Sequence, residues 1–137
     1  MAIIDRRLAL MGLGAASAVL VSSAPQADSQ PARAQTKTIA EGVREVVYGE
    51  GPSIIPGYKT VRLRDIVVQP GAKLAPGPMH PMVCHMAQGE LEVTRTNPDE
   101  TFVAKQHHVW TCASEMTEGV VNKGRTVAVM RITDLLT

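Results

Sequence analysis

The amino-acid sequence predicts an all-β domain built as a sandwich or a barrel. Short segments rich in β-branched residues follow one another closely, and Gly and Pro residues separate them. After the N-terminal segment no amphipathic helical period is evident, and only residues 39–45 are suited to a helical turn. Many short strands without helices are typical of sandwiches and barrels. The predicted strands cover residues 43–48, 59–68, 82–86, 90–96, 101–105, 109–112 and 126–133.

The first 34 residues contain the three parts of an export signal. Arg6 and Arg7 form a charged segment, residues 8–21 are apolar, and A-R-A at residues 32–34 matches a cleavage site. This apolar run is shorter than the roughly 20 residues that a membrane span needs. The arginine pair indicates the twin-arginine route, which carries folded proteins. We therefore expect a disordered or helical signal peptide and a periplasmic or secreted product, the alternative being a helix retained in a cytoplasmic protein.

Cleavage before Gln35 would leave one small neutral domain. Residues 35–58 are expected to form an N-terminal arm and a first strand, and residues 59–137 a barrel. Removing three of the 14 basic residues and two of the 13 acidic residues leaves 11 of each. A domain without net charge is not expected to bind nucleic acid or an anionic membrane surface. No membrane span is expected after signal cleavage.

The positions of the turn residues between the strands resemble those of a small single-domain cupin of the RmlC-like type. The resemblance lies in P-G at residues 70–71, in G-E-L-E-V at residues 89–93, and in N-K-G at residues 122–124 before a final strand. It covers about residues 59–133 and implies an eight-stranded jelly roll, a double-stranded β-helix that closes as a barrel. The resemblance also implies a homodimer as an expected assembly.

The residues that cupins use as metal ligands are substituted in this chain. Aligning the first cupin motif on its final glycine places Pro76 and Pro78 at the histidine positions and Met82 at the glutamate position. Aligning the second motif on its asparagine places Glu118 at the third histidine position. The resemblance therefore implies where a site lies, while the ligands have to come from other residues.

Residues 79–86 read M-H-P-M-V-C-H-M and combine two imidazoles, a thiol and three thioethers. Residues two apart on a strand share a face, so Cys84 points into the barrel if Met82 does. His80 lies in the loop before this strand, and the cupin resemblance implies that Glu118 approaches from the opposite strand. We expect a metal site formed by His80, Met82, Cys84 and Glu118. Copper is favoured because sulfur ligands suit Cu(I), with iron, nickel or zinc as alternatives.

Other interpretations of the same residues stay open. Met and Cys are common core residues, so the barrel could be metal-free, with Met86, Trp110 and Cys112 lining a binding site for a small organic molecule. In an oxidising compartment Cys84 and Cys112 could instead form a disulfide, which would exclude a thiolate ligand. The adjacent pair at residues 107–108 (H-H) is expected to lie in a surface turn, since neighbouring strand residues point in opposite directions.

The sequence thus predicts an exported small cupin whose barrel binds a transition metal, a small organic molecule, or both. The alternative is a non-catalytic, metal-free binding protein. No recognised catalytic motif, such as G-x-S-x-G, a Gly-rich phosphate loop or H-E-x-x-H, occurs in the chain. The catalytic residues, if any, are not indicated.

The signal peptide generates a first prediction. Exported protein should begin at Gln35, and replacing Arg6 and Arg7 with lysine should block export if the twin-arginine route is used. Intact-mass analysis of the exported protein checks the first point, and fractionation of the double variant checks the second. Exported protein that retains Arg6 and Arg7 would contradict the cleavage site, and undiminished export of the variant would indicate the general route.

Overall fold

The computed structural model describes residues 33–137, which form ten β-strands and no helix. The all-β prediction is confirmed, and within this range no helix is long and apolar enough to cross a membrane. The signal peptide up to Ala32, the first residue of its cleavage site, lies outside the described residues. The strands are β1 Gln35–Ala40, β2 Val43–Pro52, β3 Thr60–Val68, β4 Lys73–Pro78, β5 Met82–Gln88, β6 Leu91–Thr96, β7 Glu100–Ala104, β8 Val109–Cys112, β9 Thr117–Val121 and β10 Ala128–Leu136.

The strands form two antiparallel sheets around one core. The larger sheet has the order β1-β2-β3-β10-β5-β8, and the smaller has the order β4-β9-β6-β7. β10 pairs with β3 on one side and with β5 on the other. Because side chains alternate between the two faces of a strand, each sheet contributes every second residue to the barrel interior. Pairing register therefore decides which side chains meet inside.

All seven predicted strands are present, with ends moved by a few residues, and three further strands were missed. β1 lies where an arm was expected, so residues 35–58 contain two strands of the larger sheet. β4 contains Pro76 and Pro78, and β9 contains Gly119, residue types that are depleted in strands. Pairing with each other holds β4 and β9 extended despite this composition.

Residues 39–45, the one segment suited to a helical turn, form a β-hairpin instead. β1 and β2 meet at a turn over Glu41 and Gly42. Gly42 has a φ of +70°, and a Cβ atom there would lie 2.8 Å from the Cβ of Ala72. Both the backbone angle and the close neighbour require glycine at this position.

The core is built from aliphatic and sulfur-containing side chains. The chain has one Phe and one Trp, and methionine takes much of the volume that aromatic rings occupy elsewhere. Burial of each large aliphatic side chain contributes about 1.5–3 kcal/mol to stability. Four buried methionines belong to the core, namely Met82, Met86, Met116 and Met130.

A buried ion network lies at one end of the barrel interior. The Asp134 side chain is fully buried and accepts hydrogen bonds from Arg62 at 2.8 Å and from Arg64 at 2.7 and 3.0 Å. Arg64 also donates to Glu45 at 2.9 Å. Burial alone raises the pKa of the Asp134 carboxyl, but hydrogen bonds from Arg64, Arg62 and His80 outweigh it and hold the pKa below its ordinary value.

This network generates a prediction about stability. Asp134→Ala should lower the free energy of unfolding by about 3–5 kcal/mol, because it leaves Arg64 partly uncompensated inside the barrel. Lys123→Ala is the matched control, since it breaks an ion pair with Glu92 in which the lysine is largely exposed. The control should change stability by no more than about 1 kcal/mol. Denaturant unfolding measures both, and equal losses for the two variants would contradict the role of Asp134.

Candidate metal site in the barrel interior

Strand β5 presents a sulfur-rich face to the barrel interior. Met82, Cys84 and Met86 are buried, whereas Val83 is exposed and His85 is half-buried. This alternation confirms the predicted register of β5, with Cys84 inward and His85 outward. Met130 and Ile132 of β10 lie directly opposite Met86 and Cys84. Cys84 is therefore held between apolar neighbours and has no exposed surface.

Two further strands bring Cys112 and Glu118 to the Cys84 thiol. The ligand atoms of Cys84, Cys112 and Glu118 all lie within 4.8 Å of one another, and all three residues are buried. Among the described residues this is the one group of three or more His, Cys, Asp and Glu side chains with such spacing. Cys112 ends β8, which pairs with β5, and Glu118 lies on β9 of the other sheet. The group thus joins the two sheets across the barrel.

Glu118 is the acceptor at the centre of this group. Cys112 Sγ donates a hydrogen bond to Glu118 Oε2 at 3.1 Å, and Trp110 Nε1 donates to the same oxygen at 3.1 Å. Among residues 33–137, no Lys, Arg or His nitrogen forms an ion pair with this carboxylate. A buried carboxylate without a cationic partner is costly, so the site has capacity for a positive ion.

The environment of Cys84 favours its neutral thiol. Hydrogen bonding with the Cys112 thiol, burial and the negative charge of Glu118 all raise the pKa of Cys84 well above its ordinary value. A metal ion would have to displace this proton, because the thiolate is the form that binds metals. Without a metal ion Cys84 therefore keeps its proton, and the Glu118 carboxylate accepts hydrogen bonds from Cys112 and Trp110.

The spacing of the three ligand atoms fits one shared metal ion. With metal–sulfur bonds of about 2.3 Å, an ion contacts two sulfurs that are up to about 4.6 Å apart. The observed limit of 4.8 Å requires little side-chain movement. Two thiols and a carboxylate suit thiophilic ions such as copper and zinc. The donor set is therefore chemically consistent with a transition-metal site.

Cys84 and Cys112 are free thiols in the structure rather than a disulfide. The direct neighbour of Cys112 on β5 is Met82, and the direct neighbour of Cys84 on β8 is Trp110. The two cysteines are therefore diagonal neighbours, whose Cα atoms typically lie about 7–8 Å apart. Disulfides need Cα separations below about 7 Å, so a bond here would require strand movement.

His80 is not brought to this group, although it was predicted as a ligand. Its Nε2 lies 2.7 Å from Asp134 Oδ1, and its side chain is 36% exposed. Met82, another predicted ligand, does lie beside the site, because it is directly opposite Cys112. The structure thus brings together Met82, Cys84 and Glu118 and replaces His80 with Cys112.

A small cavity lies beside Glu118, between residues of the two sheets. Its volume is about 70 Å³, and Arg64 and Glu118 are the charged residues that line it, next to Met82. The remaining lining residues are apolar. They are Ile39, Ile66, Leu74, Met79, Gly119, Val120, Met130 and Ile132.

The aromatic and histidine residues around the site have structural contacts. Trp110 is buried and lies edge-on to Phe102 and to His108. His107, at a φ of 73°, stacks on the outward-facing His85 with ring centroids 6.2 Å apart. The adjacent histidines therefore point to different neighbours, as expected. Met86 lies in the core, so of the three predicted ligand-lining residues only Trp110 and Cys112 touch Glu118.

Comparison with known proteins supports the fold. The structure of KdgF from Halomonas sp. superposes with a TM-score of 0.59 and 13% identity, covering 75% of this chain and 89% of that chain. An RmlC-like cupin from Shewanella frigidimarina gives a TM-score of 0.59 and 15% identity, over 76% and 85% of the two chains. A predicted oxalate decarboxylase from Thermotoga maritima gives a TM-score of 0.57 and 12% identity, covering 77% of this chain and 93% of that chain.

No family model and no curated protein sequence matches the chain. The structural similarities are at low identity, so they show the fold. Together with the two-sheet architecture, they confirm the predicted cupin-like fold, a jelly-roll barrel.

The facing of β5 generates a prediction. Cys84→Ser should lower the free energy of unfolding of the metal-free protein by about 1–3 kcal/mol, because a more polar hydroxyl replaces a buried thiol. His85→Ala, on the outward face of the same strand, should change it by no more than about 0.5 kcal/mol. Denaturant unfolding in the presence of a chelator measures both. A larger loss for His85→Ala would contradict the assigned facing.

Proposed function

We propose that this protein is an exported cupin-fold protein that binds one transition-metal ion inside its barrel. Cys84, Cys112 and Glu118 supply the ligands, and Met82 lies next to them. The observation that carries the proposal is the convergence of these three ligand atoms within 4.8 Å at a buried position. Three potential ligands from three strands and both sheets meet where, among residues 33–137, no cationic side chain forms an ion pair with the carboxylate.

Copper is the expected metal. Thiolates select Cu(I) and zinc among the common ions, and copper lies above zinc in divalent affinity. Trp110 and the surrounding methionines exclude water from the sulfur atoms, which favours a soft ion over a strongly hydrated one. Zinc is the main competitor, because it also accepts mixed thiolate and carboxylate ligands.

The size of the interior cavity favours a metal over an organic ligand. A site for a drug-sized or metabolite-sized molecule usually has about 300–1,000 Å³. The cavity beside Glu118 has about 70 Å³. The alternative of a metal-free barrel that holds a small organic molecule would therefore require the core to expand around Met82, Met130 and Ile132.

Export to the periplasm belongs to the same proposal. β1 begins at Gln35, so cleavage before this residue would leave every strand of the barrel intact. The twin-arginine route carries folded proteins, which would allow a buried metal to be loaded before export. A bound metal would also keep Cys84 and Cys112 from oxidation in the periplasm.

Metal uptake tests the proposal. Purified protein, reduced and handled without oxygen, should bind one copper ion per chain and release zinc in competition with copper. Cys84→Ser, Cys112→Ser and Glu118→Gln should each weaken binding by about tenfold or more, since each removes one of the ligands. Elemental analysis after dialysis measures the stoichiometry, and competition with a chelator measures the affinity.

Two further variants serve as controls. His107→Ala and His108→Ala lie outside the site and should bind metal as the unmodified protein does. His80→Ala distinguishes the ligand set with His80 from the one with Cys112. Loss of metal binding in this variant would show that His80 is a ligand after all. If the reduced protein takes up no copper, zinc, iron or nickel at neutral pH, the proposed metal site is wrong.

A further inference from the structure

A row of three charged side chains crosses the smaller sheet on one face. Arg95 of β6 lies directly opposite Glu118 on β9 and directly opposite Glu100 on β7. Side chains of directly paired strand residues lie on the same face, with Cβ atoms about 4.5–5.5 Å apart. Arg95 is therefore a neighbour of two carboxylates, one in the candidate metal site and one on the edge strand of the sheet.

Arg95 pairs with the outer of these two carboxylates in the structure. Its Nη2 lies 3.2 Å from Glu100 Oε2, and its Nη1 donates a hydrogen bond to the carbonyl oxygen of Thr111 at 3.0 Å. The guanidinium group also lies over the ring of Phe102, 5.3 Å from the ring centroid. The Glu100 side chain is 40% exposed, so water screens this ion pair and makes it weak.

Two polar atoms of the row lack a hydrogen-bonding partner, and they belong to neighbouring residues. Within residues 33–137, Arg95 Nε is the one buried side-chain nitrogen or oxygen without a hydrogen bond. Both hydrogen bonds to Glu118, from Trp110 and Cys112, end on Oε2, so Oε1 has no protein donor among the same residues. Unpaired polar atoms in the interior are destabilising, and a hydrogen bond between Arg95 and Glu118 would satisfy both.

We propose that the Arg95 side chain has two positions, the observed one on Glu100 and a second one on Glu118, where it neutralises the carboxylate and excludes a metal ion. Arg95 is thus an internal competitor of the cation, and Glu100 holds it away from the site. The effect on metal binding rests on the proposed metal site, whereas the movement of Arg95 belongs to the metal-free protein.

Opposing contributions act on the two positions. An ion pair with Glu118 would be screened less than the pair with Glu100, because Glu118 is buried and Glu100 is partly exposed. Against this, Arg95 would give up its contacts with the Phe102 ring and the Thr111 carbonyl and would lose more of its hydration. A change that weakens one position therefore shifts the side chain toward the other.

The arginine Nε–H resonances of the metal-free protein test the movement directly. Glu100→Gln, at a partly exposed position that the fold tolerates, should move Arg95 onto Glu118 and shift its Nε–H proton downfield, because the group gains a charge-assisted hydrogen bond. Adding Glu118→Gln to this variant should reverse most of the shift. Glu92→Gln is the matched control, since it releases Lys123 on the same sheet and should leave the Arg95 resonance unchanged.

Copper affinity, measured by competition with a chelator, tests whether Arg95 competes with the metal. Glu100→Gln should weaken copper binding at least about tenfold, because only molecules with Arg95 away from Glu118 can bind the ion. Arg95→Met should bind copper at least as tightly as the unmodified protein. Adding Glu100→Gln to Arg95→Met should change the affinity by less than about twofold, because the competitor is already absent.

The outcomes separate this inference from the metal site itself. An Arg95 resonance that does not move in Glu100→Gln overturns the inference. Equal losses of copper affinity in Arg95→Met and Glu100→Gln also overturn it, because they indicate a purely structural ion pair. If the resonance moves as expected but no variant takes up copper, the metal site is wrong and the two positions of Arg95 are confirmed.

Discussion

The register of β5 between β10 and β8 is the constraint on which the site depends. A shift of one residue would turn Cys84 to the solvent and His85 to the interior, since strand residues alternate between faces. The observed register pairs Cys84 with Ile132 on one side and with Trp110 on the other. It also places Met82 opposite Cys112 and opposite Asp134. One strand alignment thus positions both the sulfur ligands and the ion network.

The barrel interior contains two buried carboxyl groups whose hydrogen-bonding partners differ in charge. Asp134 is neutralised by Arg62 and Arg64, so its negative charge is satisfied within the protein. Glu118 receives only hydrogen bonds from Trp110 and Cys112. A buried carboxylate in such surroundings is stabilised by a cation, and the adjacent thiols restrict which cation suits it. This difference is the physical reason to assign the metal to Glu118 rather than to the Asp134 network.

Much of the fold could be predicted from local sequence patterns, whereas the site depended on pairing across the chain. Strands such as β5 and β10 carry β-branched or alternating residues, and both were predicted. β4 and β9 were missed because proline and glycine mask their extended conformation, which pairing imposes. The facing of Cys84 followed from residue alternation once the resemblance had placed Met82 inward. These predictions used only short-range information or a known fold.

The ligand partners of Cys84 required information that no short segment contains. Cys112 could be named as a neighbour of Cys84, but its approach to Glu118 follows from the β5–β8 register and the turn between β8 and β9. His80 was predicted as a ligand because it is close in sequence. Its partner Asp134 lies 54 residues away, and no local signal indicated that pair.

X-ray absorption spectroscopy of the metal-loaded protein tests the central claim most directly, because it reports the atoms bound to the metal. The account predicts two sulfur atoms at about 2.3 Å, the distance typical of zinc thiolates, together with oxygen from Glu118. Replacing Cys112 with serine should remove one sulfur from this shell. A shell dominated by imidazole nitrogen, or one without sulfur, would contradict the assignment of the site to Cys84, Cys112 and Glu118.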